Sequence, residues 1–145
     1  MSLPDRNNPY SFNDYLDWRK NVNYYNDDPF IQKVVKHFTG SQWQTIDTEA
    51  REVSMKASFR WRDLSEAAAV PEKRPYMTHY DGHHNRIDRI VRPKETEILE
   101  KEIFGELLFD NRKSRWIKLV KMFLIYQNGE ACVACPMTCT EGLVK

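Results

Sequence analysis

The chain lacks the features that mark several specialised classes of protein. Its 22 Lys and Arg nearly balance its 21 Asp and Glu, so nothing in the charge favours nucleic acid or an anionic membrane as a partner. The apolar run at residues 122–125 is far too short to span a bilayer. Only 3 cysteines are present, an odd number that cannot form a complete disulfide framework.

What is present is typical of one soluble globular domain. Hydrophobic residues make up 41% of the 145 residues and charged residues 30%, which allows a real but modest core. No apolar stretch behind a basic segment marks a signal peptide at the amino terminus. Together with the odd number of cysteines, this predicts a cytoplasmic protein with no membrane contact.

Helical patterns account for most of the chain. Ser11 and Asp14 begin the segment SFNDYLDWRKN, and Asp28 followed by Pro29 begins FIQKVVKHF, which Gly40 ends. Apolar residues recur at intervals of three, four or seven from 41 to 70, so we predict one long helix there that Pro71 ends. A break near Ser58 stays open.

Residues 71–93 have no clean period, and we predict an ordered, extended loop with a short strand at 87–91. Two further helices follow, over KETEILEKEIFGELLF and RKSRWIKLVKMFLIYQ. In the second, the residues predicted to share one face are Trp116, Leu119, Val120, Phe123 and Tyr126. After the Asn128-Gly129 stop, ACVACPMTCT is short, uncharged and rich in thiols and β-branched residues, which predicts a strand over 131–141.

Aromatic residues near basic ones could indicate base stacking. The aromatic residues in question are Tyr24, Tyr25, Trp43 and Trp61. Their helical spacing and the balanced charge favour a hydrophobic core instead, so we do not expect nucleic acid as a partner.

Three of the four histidines lie within PYMTHYDGHHNRIDRI, residues 75–90. His79, His83 and Asp81 could supply three zinc ligands. However, Gly82 in a proline-flanked loop argues against the helix that would bring His79 and His83 to one metal. We favour an ordered polar loop in which His and Asp groups bond to the backbone and to each other.

The cysteines Cys132, Cys135 and Cys139 form a C-x2-C-x3-C pattern that resembles part of an iron–sulfur ligand run. A fourth ligand is missing from the pattern. Because unmodified cysteine often packs as a small apolar group, we expect these three to be buried structural residues, with an iron–sulfur or zinc site as the alternative.

The order of three segments carries a resemblance that no single motif does. THYDGHHNRIDRI is followed by RPKETEILEKEIFGELL and then by RWIKLVKMFLIYQNGEACVACPMTCTEGLVK. In this order and spacing the chain resembles the amino-terminal part of the acyl-CoA dehydrogenase flavoproteins, and it is most similar to their AidB-like branch. The matching positions are Asp81, Gly82, Arg86, Ile87 and Asp88, then Cys135, Pro136, Met137 and Thr140.

The resemblance implies a mainly α fold: an acyl-CoA dehydrogenase-like helical domain ending in the first strand of a truncated β middle domain. We therefore expect a loose terminus over 1–10, an all-α domain over 11–129 and the start of the middle domain over 130–145. It also implies FAD as the cofactor of the intact protein, with weak or no binding by this chain. The residues that match the flavin-contacting strand are Met137, Cys139, Thr140 and Glu141, with the Thr140 hydroxyl and the Cys139 backbone as the expected ring contacts.

The implied function is the α,β-oxidation of acyl-CoA thioesters by the intact, FAD-dependent protein. No glutamate here matches the family's catalytic base, so this chain is expected to line the flavin and acyl pocket and to be inert alone. Its partners would be the missing domains, with self-association through the apolar face that those domains would cover. The alternative is a stand-alone helical interaction module that binds a partner by adding the 131–141 strand to a sheet.

Overall fold

The computed structural model describes residues 10–110, 112–129 and 133–143 and confirms that the chain is mainly helical. Residues 1–9, most of the terminus predicted to be loose, lie outside this description. The elements are α1 (Asn13–Asn21), α2 (Pro29–Thr39), α3 (Trp43–Met55), a π segment (Lys56–Trp61), α4 (Arg62–Ala68), β1 (Tyr76–Tyr80), β2 (Arg86–Val91), α5 (Lys94–Phe104), α6 (Arg115–Tyr126) and α7 (Ala134–Leu143).

The start and stop signals of α2 act as the sequence predicts. The Asp28 side chain accepts hydrogen bonds from the amides of Phe30 and Ile31, both at 3.0 Å, and Pro29 occupies the first turn. Gly40 follows with φ +53°, a conformation that glycine adopts without a Cβ penalty. The limits of this helix are therefore set locally.

The helix predicted over residues 41–70 is continuous from Trp43 to Ala68, with no break near Ser58. Six residues, Lys56–Trp61, form a π-helical segment rather than a break. Such segments insert extra backbone into a helix and shift the faces on either side of it. Ser58 lies at its centre and is buried.

Buried polar contacts join the π segment to two other parts of the chain. The Asn128 side-chain amide, just after α6, donates to the Ala57 carbonyl oxygen at 2.8 Å. The Tyr24 hydroxyl donates to Asn128 Oδ1 at 2.9 Å, and the Tyr24 amide donates to Ser58 Oγ at 2.8 Å. The loop before α2, the long helix and the end of α6 thus meet at one point.

The core lies between α3, the π segment, α5 and α6. Tyr25 and Trp61 are fully buried, and Tyr24 and Trp43 pack against the same core, which confirms the structural interpretation of these aromatic residues. The other core side chains with no exposed surface are Ala57, Leu99, Ile103, Leu124, Ile125 and Met137. Burial of such side chains contributes about 1.5–3 kcal/mol each to the free energy of unfolding.

An ionic cluster sits at the edge of this core. Lys121 on α6 is 6% exposed, and its Nζ lies 3.0 Å from Glu49 Oε2 on α3 and 3.3 Å from Glu106 Oε2 after α5. Lys113 contacts Glu49 at 3.1 Å, and Lys56 contacts Glu106 at 2.6 Å. Because Lys121 is almost fully withdrawn from water, its charge depends on these carboxylates as partners.

Residues 71–93 contain more regular structure than the sequence indicates. The short strand predicted at 87–91 is confirmed, as β2, but it pairs with β1 in an antiparallel hairpin that was expected to be a loop. The partners include Tyr76 with Val91 and Met77 with Ile90. Nearly every residue of both strands is exposed, so the sequence lacks the alternation of apolar and polar residues that would predict β1.

The strand predicted over 131–141 is wrong for the part described, because residues 134–143 form helix α7. Met137 on α7 and Val133, which precedes the helix with φ +53°, are both buried in the helical core, and the Met137 amide donates to the Val133 carbonyl at 3.2 Å. Tertiary packing therefore overrides the β propensity of the cysteines and threonines. Residues 130–132 lie outside the description. The strand-addition version of the interaction module is contradicted for residues 134–141, because a helix cannot add a strand to a sheet.

Replacing Asn128 with alanine tests the contact at the π segment. The change leaves the Ala57 carbonyl and the Tyr24 hydroxyl without this partner, so we expect a loss of about 2 kcal/mol in the free energy of unfolding. Gln127→Ala is the matched control, because its side chain bonds only one turn back, to the Phe123 carbonyl. Urea unfolding followed by circular dichroism measures both, and equal midpoints for the two variants would contradict the assignment.

The pH dependence of stability tests the ionic cluster. Burial raises the pKa of Glu49, but hydrogen bonds and charge from Lys121 and Lys113 outweigh it and leave the pKa below its usual 4.5. Since the folded state favours the carboxylate, its stabilisation is present above pH 4.5 and is lost as the pH falls through the folded-state pKa.

We expect Glu49→Gln to cost on the order of 1–2 kcal/mol near neutral pH, with the difference from the unmodified protein shrinking in acid. Glu52→Gln, an exposed glutamate on the same helix, is the control. Urea titrations at neutral and at acid pH measure the effect. A Glu49 variant with the same pH dependence as the unmodified protein would overturn this account.

Candidate functional site

The histidine-rich stretch is the turn of the β1–β2 hairpin. Asp81 Oδ1 accepts from the amides of His83 at 2.8 Å and Asn85 at 2.9 Å, and the Asn85 side chain donates to Asp81 Oδ2 at 3.0 Å. These bonds, led by that of the Asn85 side chain, hold the pKa of Asp81 below its ordinary value. The side chain of Asp81 therefore stabilises the turn.

His79 pairs across the hairpin rather than with the other histidines. Its Nδ1 lies 2.8 Å from Asp88 Oδ1, and Arg86 Nε donates to Asp88 Oδ2 at 2.7 Å. The bonds from His79 and then Arg86 lower the pKa of Asp88. The prediction that the His and Asp groups bond to the backbone and to each other is confirmed for His79, Asp81 and Asp88. Within residues 10–110, 112–129 and 133–143, no group of three His, Cys, Asp or Glu side chains is placed to hold a metal.

The residues predicted to contact flavin lie on α7 and are not equivalent. Met137 is fully buried and packs in the core, whereas Cys139 is exposed. The Thr140 hydroxyl, half-buried, donates to the Pro136 carbonyl at 2.9 Å. Glu141 lies within the helix, and its side chain falls outside the described part of the chain.

This arrangement fits a flavin contact only in part. A strand would leave backbone amides for the ring edge, but in an α-helix the Cys139 amide bonds to the carbonyl four residues earlier. The Thr140 oxygen donates one hydrogen bond and keeps its acceptor lone pairs, so it could still accept from a ring N–H. Among the three of these residues whose side chains are described, Thr140 is the one with a hydroxyl that could accept from a flavin ring.

The expected burial of the cysteines is wrong for the two that are described. Cys135 and Cys139 lie one helical turn apart on α7 and both are exposed. The reason is the helix itself: Met137 faces the core, and Cys135 and Cys139, two residues before and after it, lie about 200° away around the helix axis. Cys132 lies outside the described residues.

A charged cleft beside the π segment was not anticipated from the sequence. Arg60 forms a bidentate pair with Glu102, at 2.6 Å from Nη2 and 2.9 Å from Nε, and Trp61 Nε1 donates to the same carboxylate at 2.9 Å. The cleft, of about 680 Å³, is open to solvent and also contacts Lys56 and Glu106. The positive and negative side chains that line the cleft largely neutralise one another. The cleft could not be predicted because a π segment has no recognisable sequence pattern.

An apolar concavity lies between α2 and α6. We call it the α2/α6 groove; it has a volume of about 150 Å³ and is lined by Ile31, Val34, Val35, Phe38, Trp116, Leu119, Val120 and Phe123. The rings of Phe38 and Trp116 stack across it with centroids 5.9 Å apart. The helix-face prediction for α6 is confirmed, but that face is half-exposed, whereas Ile117, Leu124 and Ile125 fill the core.

Comparisons with protein-family models, with curated proteins and with solved structures found no match. Among the helices of the described residues, none has the length and apolar character needed to cross a membrane. The candidate site is the exposed side of α7, which carries Thr140 and Cys139.

Thiol chemistry tests the exposure of α7. Because Cys139 is exposed, it should react with a thiol reagent such as DTNB in the native protein, without denaturant. Cys139→Ser is expected to remove one equivalent of rapidly reacting thiol and to leave the circular dichroism spectrum unchanged. An unchanged rapid phase in this variant would contradict the placement of Cys139.

Proposed function

We propose that this chain is the helical amino-terminal domain of a larger FAD-dependent acyl-CoA dehydrogenase-like oxidoreductase, inert on its own. In the intact protein it would form one wall of the pocket for the flavin and the acyl thioester. The remaining domains and an acyl-CoA substrate are its proposed partners.

The observation that carries the proposal is the order of the resembling segments along a single folded body. THYDGHHNRIDRI forms most of the hairpin, RPKETEILEKEIFGELL contains α5, and the last segment contains α6 and α7. Leu99 and Ile103 of α5, Leu124 of α6 and Met137 of α7 share one core. The second and third of these segments are therefore also a physical unit.

Three of the described glutamates are poorly suited to act as the catalytic base. A base that removes an α-proton needs an unengaged carboxylate beside the substrate. Glu49, Glu102 and Glu106 are instead held in ion pairs with lysine or arginine. Hydrogen bonds from Arg60 lower the pKa of Glu102 against the opposing effect of burial, which makes it a weaker base.

The side of α7 that faces solvent is the proposed point of contact with the cofactor. Thr140 supplies a hydroxyl oxygen. The neighbouring Leu143 is 85% exposed, as expected of an apolar residue that another domain would cover. A flavin bound there supplies the hydride acceptor, and this chain would supply position and a hydrogen bond.

The first experiment is to read the coding DNA on both sides of this segment and to express any longer reading frame. We expect a product that retains yellow flavin after gel filtration and oxidises an acyl-CoA. The 145-residue chain, tested in parallel, should retain none. A longer product without flavin, or flanking DNA that encodes no further domain, would overturn the proposal.

Thr140→Ala in that longer product tests the specific contact. Losing one hydrogen bond of roughly 1.4 kcal/mol should weaken FAD retention about tenfold. Thr138→Ala is the matched control, because its hydroxyl bonds to Tyr126 and Ala134 within the helical body. Fluorescence titration measures the affinity of both variants for FAD. Equal affinities would show that Thr140 does not contact the cofactor.

A further inference from the structure

We infer that two copies of this chain associate by reciprocal exchange: helix α1 of each copy docks in the α2/α6 groove of the other. The inference goes beyond the proposed function, because it uses neither α7 nor a flavin. It joins two apolar surfaces of the same chain that the described structure leaves uncovered.

The α2/α6 groove is one of these surfaces. Its lining is entirely apolar, and four of its side chains are substantially exposed: Phe38, Trp116, Leu119 and Phe123. A concave patch of aromatic and aliphatic groups is the kind of surface that receives an amphipathic helix. Because the groove is half-open, a helix can enter it without rearrangement of the core.

Helix α1 is the other surface. It has no buried residue, although Phe12, Tyr15, Leu16 and Trp18 recur at helical spacing on one side. Trp18 is 59% exposed, and its ring lies near that of Tyr15, with centroids 5.9 Å apart. An apolar helical stripe in water is unfavourable unless a partner covers it.

The two surfaces belong to different copies because α1 is held away from its own groove. Arg62 on α4 donates to the Arg19 carbonyl oxygen at 2.7 Å, and Arg19 pairs with Glu66 at 3.0 Å. The chain that follows is fixed by the bond from Tyr24 to Ser58. These contacts tie α1 to α4, whereas the groove lies between α2 and α6.

Charge does not oppose this pairing. Helices α2 and α6 contain lysine, arginine and histidine but no acidic residue. The two aspartates of α1, Asp14 and Asp17, are balanced by Arg19 and Lys20, and Arg19 is already paired with Glu66 on α4. The pairing therefore rests on apolar contact, and no like-charged helices are brought together.

The area is sufficient for a stable dimer. The eight exposed apolar side chains of the stripe and the groove are each about half-exposed, which leaves about 100 Å² of surface apiece. Burying them in both copies removes about 1,600 Å² from water, the size of a standard specific interface. Reciprocal docking also gives the closed twofold symmetry that most homodimers show.

The test uses the full chain in light scattering coupled to gel filtration over a concentration series. We expect a dimer, and we expect Trp18→Ser and Phe38→Ser each to raise its dissociation constant at least tenfold. Phe30→Ser is the matched control, since Phe30 is 73% exposed on α2 but does not line the groove. Circular dichroism verifies that each variant is folded, and both test positions are exposed enough to tolerate serine.

Mixing the two variants distinguishes exchange from other association. The Trp18 variant keeps an intact groove and the Phe38 variant keeps an intact α1, so the mixture should form a heterodimer with one restored contact. A chain that stays monomeric throughout the series, a Trp18 variant that dimerises normally, or a mixture without heterodimer would overturn the inference. Neither substitution should change flavin retention by the longer product, so this result and the test of Thr140 fail independently.

Discussion

The buried side chain of Asn128 is the contact on which the arrangement of the helices depends. It donates to the Ala57 carbonyl inside the π segment and accepts from the Tyr24 hydroxyl, so one amide joins three parts of the chain. A hydrophobic core alone does not fix the register of one helix against another, whereas a buried amide leaves unpaired groups in every other register. The π segment and the end of α6 therefore determine each other's position.

Other buried polar groups follow the same logic at the edges of the core. Lys121 can be withdrawn from water only because Glu49 and Glu106 lie against it from two other elements. Ser54 and Ser58 bind the amides of Tyr25 and Tyr24, where the loop before α2 crosses the long helix. Helices with modest apolar surfaces are in this way given one arrangement rather than several.

Within the described residues, three surfaces lack a cover: the stripe of α1, the α2/α6 groove and both faces of the hairpin. A two-stranded sheet with neither face packed is marginal in water, and Tyr76 and Ile90 are both more than 60% exposed. Exposed apolar surface on this scale is typical of a chain that works in contact with other protein. The proposed enzyme and the inferred dimer use different parts of it, since one concerns α7 and the other α1 and the groove.

The sequence by itself determined the helices with local signals. Asp28, Pro29 and Gly40 limit α2 through their own backbone chemistry, and the apolar period identified Ile46, Val53 and Trp61 as core residues. Only the tertiary structure decided the rest. ACVACPMTCT has the composition of a strand but forms a helix, because Met137 and Val133 reach a core built by distant elements. The π segment and β1 have no local signature either, since one depends on a contact 71 residues away and the other on pairing with β2.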